Sequence, residues 1–207
     1  MEALETDRPV RIGVVIGSIR SGRFADYPAR WIAELLNERP GVEAEVLDLR
    51  EYALPHYDEA VAPAMLGEGQ RYENEAVRRW TEAVEALDGF VLVGPEYNHG
   101  YSAPLKNALD YVFGGWGRKP VGFVGYGNAG GARAIEQLRQ VVVELRMAPI
   151  ATAVHLPVEP LIAHYTGGDV RAGLASSDEK AAGMIDDLLW WTRALKAARE
   201  AGQPALV

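Results

Sequence analysis

Residues 95–110 read PEYNHGYSAPLKNALD, and this stretch decides how the rest of the chain is interpreted. It follows a short apolar run, GFVLVG at residues 89–94, which is typical of a strand buried on both faces of a parallel sheet. After the loop, Ser102 is a candidate helix cap and Pro104 suits a first helical turn. The stretch therefore predicts a loop between a strand end and a helix start. In open α/β sheets, ligands bind at that edge.

Outward from this loop, the chain alternates strand-like and helix-like segments five times. Strands are predicted at residues 10–17, 42–47, 89–94, 121–125 and 150–156, each followed by a helical pattern. Regular alternation of this kind predicts an α/β fold with a parallel sheet and helices on both faces. Nothing in the sequence marks an internal boundary, so residues 1–207 are expected to form a single domain. Residues 50–70 are too irregular for an element and are predicted to be a surface loop, with a possible role as a lid.

The last predicted helix, near residues 178–201, carries an apolar stripe that includes Leu188, Leu189 and Trp191. This spacing favours packing in the core or against a helix as the role of Trp190 and Trp191 over a ligand site.

Bulk composition excludes several function classes. The formal net charge is -8 and no basic run exceeds a pair of arginines, so nucleic-acid binding has no electrostatic support. The chain has no cysteine, which excludes disulfides, thiol nucleophiles and Fe–S clusters. Any redox chemistry must therefore use a cofactor. The start of the chain lacks an apolar signal region and no stretch is long enough to span a bilayer, so we expect a cytoplasmic protein with no membrane partner.

The loop after the first strand reads GSIRSGRF at residues 17–24 and has the composition of an anion cradle. Small residues let main-chain amides point inward, serine hydroxyls and two arginines add donors, and the following helix adds its positive N-terminus. The alternative is a flexible turn with solvated arginines. Because all these features coincide at one strand-to-helix junction, phosphate binding is the favoured interpretation.

Two nucleotide-binding motifs match only in part. Gly17 and Gly22 have Walker A spacing, but Arg23 and Phe24 replace the lysine and the magnesium-binding hydroxyl. The incomplete motif therefore argues against a nucleotide hydrolase. Residues 125–130 match GxGxxG but follow the fourth strand, and no acidic ribose partner ends the next strand. We interpret these glycines as allowing main chain to approach a flat ligand.

Four motifs together resemble the NADPH-dependent FMN reductase family: GSIR at residue 17, PEYN at 95, LKNALD at 105 and GYGNAGG at 125. The resemblance extends over residues 10–156. It implies a flavodoxin-like three-layer αβα sandwich with a five-stranded parallel sheet of order 2-1-3-4-5. It also implies noncovalent FMN, NADPH or NADH as co-substrate, and a homodimer or homotetramer.

By the same resemblance, Ser18, Arg20 and Arg23 hold the phosphate. The flavin ring is bordered by the loop after the third strand, with the glycine-rich loop at its far edge. The candidate cofactor-binding residues are Ser18, Arg20, Arg23, Phe24, Pro95, Glu96, Tyr97, Asn98, Tyr126, Gly127 and Gly130.

Because the cofactor supplies the hydride chemistry, no catalytic side chain is assigned. His99 adjoins the ring loop, where it is more often solvated or at a subunit contact than a proton donor. The other three histidines, His56, His155 and His164, lack metal-ligand spacing and are interpreted as structural, so no metal site is expected.

Two functions remain open. One is an enzyme that transfers hydride from NADPH or NADH through FMN to a small electron acceptor such as a quinone, free flavin or azo dye. The other is a flavodoxin-type electron carrier. The enzyme is favoured because residues 50–70 and 114–120 could wall a pocket. A homo-oligomer is expected because Tyr97, Tyr101 and Trp116 would otherwise be exposed.

Overall fold

A computed structural model describes residues 8–66 and 72–202 and places a parallel sheet at the centre. The sheet order is β2-β1-β3-β4-β5, and β6 also pairs with β4. Every recorded strand pair is parallel. The predicted flavodoxin-like order 2-1-3-4-5 is confirmed. The strands are β1 (Val10–Ile16), β2 (Val42–Asp48), β3 (Gly89–Pro95), β4 (Pro120–Tyr126), β5 (Ala148–Pro149) and β6 (Val154–His155).

Helices cover both faces of the sheet. One apolar cluster joins the central strands to Trp31 and Ile32 on one helix and Leu188 on another. The cluster on the opposite face contains Trp80 and Leu138. The helices are α1 (Asp26–Asn37), α2 (Leu49–Tyr52), α3 (Glu75–Glu85), α4 (Ala103–Asp110), α5 (Ala132–Glu144), α6 (Val158–Thr166), α7 (Val170–Ala175) and α8 (Asp178–Glu200). Of the helices in the described ranges, none has the length and apolar character needed to cross a bilayer.

The fifth strand is not the continuous segment that the sequence predicts at residues 150–156. Two short strands, β5 and β6, take its place beside β4. Between them, the carbonyls of Ile150 and Ala151 accept hydrogen bonds from the Arg139 guanidinium, at 2.6 and 2.8 Å. The predicted strand is interrupted at these two residues, because their carbonyls accept hydrogen bonds from a side chain of α5.

The segment 50–66 is more ordered than predicted. It contains the end of α2 and a 3₁₀ turn, Pro63–Met65. Asn107 on α4 fastens it, because its amide donates to the Pro55 carbonyl at 2.6 Å and its side-chain oxygen accepts from the Tyr57 main-chain N–H at 2.9 Å. The rest of the predicted loop, residues 67–70, lies outside the described residues.

Residues 114–120 lead into the start of β4, so they lie at the edge of the sheet opposite the loops that follow the strands. Trp116 is fully buried there, with its ring 4.6 Å from Phe90 and 6.0 Å from Trp80. The expectation that this segment walls the pocket is therefore wrong. The expectation that Trp116 is exposed is wrong for the same reason, and it no longer supports an oligomer.

Helix α8 buries Leu188, Leu189 and Thr192 as its apolar spacing predicts. Its two tryptophans do not pack in the core, because Trp190 is 63% exposed and Trp191 is 39% exposed. Both rings lie on the outer side of the helix, where they contact each other at 5.2 Å.

Ser102 performs the capping role predicted from sequence and also joins two loops. Its hydroxyl oxygen accepts from the Leu105 N–H at 3.4 Å, and its hydroxyl group donates to the Gly17 carbonyl.

We expect Ser102→Ala to lower the free energy of unfolding by about 1–2 kcal/mol, because a helix cap and a buried hydrogen bond are lost together. Urea denaturation measures this loss. Ser176→Ala, which removes an exposed hydroxyl, is the matched control and should change stability by less than about 0.5 kcal/mol.

Candidate functional site

Three loops meet at the carboxyl edge of the sheet because β1, β3 and β4 are neighbours. The Gly17 N–H donates to the Val93 carbonyl at 2.8 Å, and the Glu96 N–H donates to the Tyr126 carbonyl at 2.9 Å. These hydrogen bonds extend the ladders into the loops and fix their relative positions. A cavity of about 410 Å³ lies between the loops, within the size range of small-molecule sites.

The cavity contains most of the residues that the sequence indicates. Of the candidate cofactor-binding residues, all except Ser18 and Gly130 line it. Five further residues also line it and were not identified in the sequence as binding residues: His99, Asn128, Arg133, Leu161 and Tyr165. Leu161 and Tyr165 come from α6, a short helix that the sequence pattern does not predict. The wall expected from residues 50–70 is therefore supplied by α6, within the residues that the structure describes.

Arg23 stabilises the first loop through contacts with side chains and main chain of the protein. Its side chain is only 3% exposed, and its guanidinium forms ion pairs with Asp26 and Asp48. It also donates to the Ser18 carbonyl at 2.5 Å. This differs from the expected contact with phosphate, because two carboxylates already balance the charge of the guanidinium. Burial alone would raise the pKa of Asp48, but hydrogen bonds from Arg23 and from the Arg50 N–H outweigh it and lower that pKa.

Arg20 lies on the open side of the same loop, where its side chain is exposed. Its guanidinium donates to the Tyr165 hydroxyl at 2.5 Å and lies 5.9 Å from the centre of that ring. Arg50 holds the main chain of this loop by donating to the carbonyls of Ile19 and Arg20. The His164 Nε2 donates to the Gly22 carbonyl at 3.0 Å from the α6 side. The loop is thus fixed on two sides while Arg20 faces the cavity.

The second loop turns tightly at residues 97–100. The main chains of Tyr97 and Gly100 exchange hydrogen bonds of 2.9 and 3.0 Å. Between them, Asn98 and His99 both have positive φ, at 48° and 69°. Two consecutive left-handed residues are typical of a type I′ turn, and neither is glycine, so the turn carries backbone strain. Such strain is found at ligand sites more often than elsewhere.

An ion pair between Glu96 and Arg133, at the start of α5, stabilises this turn. The Glu96 carboxylate is 4% exposed and accepts from the Arg133 main-chain N–H at 3.0 Å and from its Nε at 2.6 Å. These hydrogen bonds lower the pKa of Glu96. The Arg133 Nη1 lies 2.7 Å from His99 Nε2. Since arginine only donates, His99 Nε2 accepts, which places the proton of a neutral His99 on Nδ1.

The third loop is built from glycines in conformations that other residues rarely adopt. Gly127 has φ of 138° and Gly131 has φ of 73°. A Cβ on Gly131 would lie 2.6 Å from the Cα of Gly125, so a side chain cannot fit there without moving the loop. The glycines therefore let this loop pack tightly on itself, and Gly127 lines the cavity.

Aromatic hydroxyl groups connect the first two loops. The Tyr97 hydroxyl lies 3.1 Å from Ser18 Oγ. Tyr126 is 5% exposed, and burial raises its pKa. Its ring packs edge-on against Phe24 at 5.1 Å. Three aromatic residues, Phe24, Tyr97 and Tyr126, thus line the cavity between the loops.

The model of the NADPH-dependent FMN reductase family matches residues 10–159. The chain belongs to the NADPH-dependent FMN reductase family. An NAD(P)H-dependent FMN reductase of a Nectria species is 37% identical over 152 residues, which are 71% of this chain and 75% of that protein. A second, from Saccharomyces cerevisiae, is 37% identical over 159 residues, 72% of this chain and 82% of the relative. The resemblance seen in the sequence is confirmed, and the chain is an oxidoreductase that uses FMN and NADPH or NADH.

Further relatives extend the comparison. An NADPH:quinone oxidoreductase of Arabidopsis thaliana is 30% identical over 151 residues, covering 70% of this chain and 73% of the relative. Among solved structures, the flavoenzyme NAD(P)H:(acceptor) oxidoreductase of Paracoccus denitrificans superposes with a TM-score of 0.65 at 22% identity, covering 89% of this chain and 98% of that chain. At that identity, the superposition supports the flavodoxin-like fold.

The residues in the cavity fit FMN. One end offers the exposed guanidinium of Arg20, a charged donor of the kind that phosphate prefers. The other end offers an aromatic floor and close main chain, which suit a flat heteroaromatic ring. Arg23 and Phe24 stand where a Walker A motif has its lysine and its hydroxyl residue. This difference does not weaken the fit to FMN, because Arg23 stabilises the loop through its ion pairs with Asp26 and Asp48.

Proposed function

We propose that the protein binds FMN in this cavity and reduces small flat acceptors, among them quinones, free flavins and azo compounds, with NADPH or NADH. The observation that carries the proposal is the meeting of a cationic loop and an aromatic, glycine-lined loop around one cavity of about 410 Å³. The names of family relatives support the acceptor classes. They include an NADPH:quinone oxidoreductase and an NADPH azoreductase of a Bacillus species.

In this proposal, Arg20 and the hydroxyl of Ser18 hold the phosphate, and Arg23 secures their loop. Residues Pro95 to Asn98 border the flavin ring on one side, and Tyr126, Gly127 and Gly130 border it on the other. Phe24 closes the floor below Tyr126. Bound FMN would accept a hydride from the nicotinamide and pass electrons to the acceptor.

The protein's own contribution is binding and orientation. Arg133 fixes the carboxylate of Glu96, and the turn at Asn98 and His99 follows directly, so the ring loop is held in one shape. Preorganised sites of this kind lower the cost of positioning two flat reactants against each other. Leu161 and Tyr165 on α6 would exclude water from the side of the cavity that faces them.

The proposal extends to the setting of the enzyme. We regard residues 1–207 as one FMN-binding domain that acts in the cytoplasm as a homodimer or homotetramer, with a small molecule as its electron acceptor. Neither nucleic acid nor a membrane is part of this proposal. The exposed ring of Tyr97, at 36%, supports association near the cavity.

An electron carrier of the flavodoxin type is the competing function. The two differ in one measurement, which is whether NADPH or NADH reduces the flavin-loaded protein and drives turnover with a quinone or free FMN. A carrier would stay oxidised with both nucleotides. The enzyme should oxidise at least one of them, and the oxidation should continue until the acceptor is consumed.

We expect purified protein to carry or take up one FMN per chain, because the phosphate and ring loops are fixed to each other through Gly17 and Ser102. A visible absorption spectrum after incubation with FMN and desalting measures the stoichiometry. The absence of flavin absorbance would contradict both the site and the function.

A further inference from the structure

Helix α5 holds both the main chain and the side chain of His99. The Gln137 amide donates to the His99 carbonyl at 2.8 Å, and the Arg133 Nη1 donates to His99 Nε2 at 2.7 Å. His99 also has the positive φ of 69° that the tight turn imposes. The imidazole of this exposed residue therefore has a defined position. It lines the cavity together with Asn98 and Arg133.

The arginine that contacts His99 is itself fixed by a buried carboxylate. Glu96 is 4% exposed and accepts from both the main-chain N–H and the Nε of Arg133. Glu96, Arg133 and His99 thus form a chain of hydrogen bonds that ends in the imidazole. Hydrogen bonds in a chain polarise one another. Because a cation donates to Nε2, electron density is drawn from the ring, and the remaining N–H becomes a stronger donor.

That remaining N–H is the unused donor of the chain. Since His99 Nε2 accepts from an arginine, the proton of the neutral ring is on Nδ1. Within residues 8–66 and 72–202, the only hydrogen bond of the His99 ring is the one to Arg133. The Nδ1–H is therefore available to a molecule that occupies the cavity beside the turn.

We propose that the Nδ1–H of His99 donates a hydrogen bond to a carbonyl oxygen of the electron acceptor, and that this contact favours quinones over acceptors without a carbonyl group. The inference rests on the proposed function, because it assigns a residue to the acceptor of that reaction. Arg133 is the positioning residue, since it holds the ring and its tautomer.

The chemistry of quinone reduction explains why a donor helps at this position. A quinone that accepts a hydride becomes a hydroquinone anion, and the negative charge lies on the carbonyl oxygen that did not receive the hydride. A proton from water then completes the hydroquinone. His99 keeps its own proton throughout. A fixed donor stabilises an oxygen on which charge develops more than it stabilises the neutral carbonyl, so it should accelerate the transfer.

Two amide variants separate the roles of the two ring nitrogens. The amide nitrogen of asparagine can take the position of Nδ1, so His99→Asn keeps a donor there and loses the acceptor for Arg133. The amide oxygen of glutamine can reach the position of Nε2, so His99→Gln keeps the contact with Arg133 and loses the donor. Asparagine, like histidine, is tolerated at positive φ. His56→Gln, at an exposed histidine outside the cavity lining, is the control.

The measurement is the reoxidation of FMN-loaded protein that dithionite has reduced, followed by flavin absorbance after mixing with 2-methyl-1,4-naphthoquinone or with ferricyanide. Ferricyanide has no carbonyl group and takes up one electron without a proton. His99→Gln should be reoxidised about 10-fold more slowly by the quinone, the loss for one hydrogen bond to an oxygen that gains charge, and at the parent rate by ferricyanide. His99→Asn should stay within about threefold of the parent with both oxidants, and His56→Gln should match the parent.

Three results would overturn the proposal. The first is an unchanged quinone rate in His99→Gln. The second is an equal loss in His99→Asn and His99→Gln, which would assign the effect to the shape of the ring. The third is an equal loss with ferricyanide, which would assign it to the turn or to the bound FMN.

A second readout does not depend on electron transfer. Oxidised protein and oxidised quinone do not react, so the quinone can be titrated onto FMN-loaded protein while NMR records the ring nitrogens of His99. The neutral ring should carry its proton on Nδ1, the opposite of the tautomer that free histidine prefers, and the quinone should shift the Nδ1 signal more than the Nε2 signal. A neutral ring protonated on Nε2, or an Nδ1 signal that the quinone leaves unchanged, would contradict the assignment.

Flavin absorbance is recorded for the parent and for every variant before these measurements. A parent without FMN contradicts the proposed function. A parent and variants with full FMN content, in which His99→Gln reacts with the quinone as the parent does, contradict the role of His99 alone.

Discussion

Replacing Arg23 with methionine is expected to lower the free energy of unfolding by about 3 kcal/mol. Methionine keeps much of the apolar stem but leaves Asp26 and Asp48 close together without the guanidinium. Breaking a buried ion pair by removing one partner costs about 3–5 kcal/mol, and the lower end applies because Asp26 is partly exposed, at 36%. Urea denaturation of both proteins at neutral pH gives the difference. Arg30→Met, at an exposed arginine of α1, is the control and should change stability by less than about 0.5 kcal/mol.

The loss of stability caused by Arg23→Met should decrease as the pH falls. The pKa of Asp48 is lowered in the folded protein, so its contribution to stability is present above the unfolded-state pKa of about 3.9. This contribution of Asp48 to stability decreases as the pH falls below about 3.9, and it is lost once the pH is below the lowered pKa of the folded state. The stability gap between the parent and Arg23→Met should therefore be largest at neutral pH and should narrow as the pH falls, because Asp26 and Asp48 without the guanidinium take up protons at a higher pH than in the parent; the gap should be smallest below about pH 4. A gap that stayed constant into the acid range would mean that Arg23 acts through packing alone.

The central sheet could be predicted from sequence because each central strand is a continuous apolar run with a clear end. β3 and β4 are buried at every residue, so their patterns are unmistakable. Helix starts were readable where a capping residue stood alone before the helix. Ser102, the candidate cap of α4, accepts from the main-chain N–H of Leu105, as its position predicts.

The details of the site could not be predicted because they depend on contacts between distant residues. Asp48 reaches Arg23 from the end of a different strand, and Arg133 reaches Glu96 from a different helix. Neither pairing leaves a periodic signal. The wall formed by α6 was missed because the helix is only nine residues long and its apolar residues do not form one stripe.

The exposure of tryptophans shows the same difference between pattern and context. Trp116 lies in a glycine-rich turn that suggested exposure, but Trp80 and Phe90 enclose it. Trp190 and Trp191 lie in a helix whose spacing suggested burial. Two adjacent residues are about 100° apart on a helix, so a buried Leu188 and Leu189 direct Trp190 and Trp191 outward. The outward direction of the two tryptophans could therefore be calculated from the sequence, but including Trp191 in the apolar stripe led to the opposite prediction.

Arg20→Ala is expected to weaken the binding of FMN by about 10- to 100-fold and to leave the binding of riboflavin nearly unchanged. A charge-assisted hydrogen bond contributes roughly 1.5–3 kcal/mol, and each 1.4 kcal/mol is about tenfold in affinity. Riboflavin lacks the phosphate, so it cannot lose this contact. The effect should shrink at high salt because Arg20 is exposed and salt already weakens its charged contact in the parent protein. Fluorescence quenching with each flavin measures all four affinities.

Arg23→Met provides the comparison that makes the Arg20 result specific, because the two arginines lie in one loop and differ in their partners. Arg23 holds the Ser18 carbonyl and two carboxylates, so its loss should disturb the loop and weaken FMN and riboflavin by similar factors. Arg20 donates to the Tyr165 hydroxyl, a neutral partner, and its charge remains available to an anion. Equal losses of FMN and riboflavin in Arg20→Ala would assign Arg20 to loop support and contradict its role at the phosphate. A loss confined to FMN in Arg23→Met would instead place the phosphate at Arg23, against the ion pairs that the structure shows.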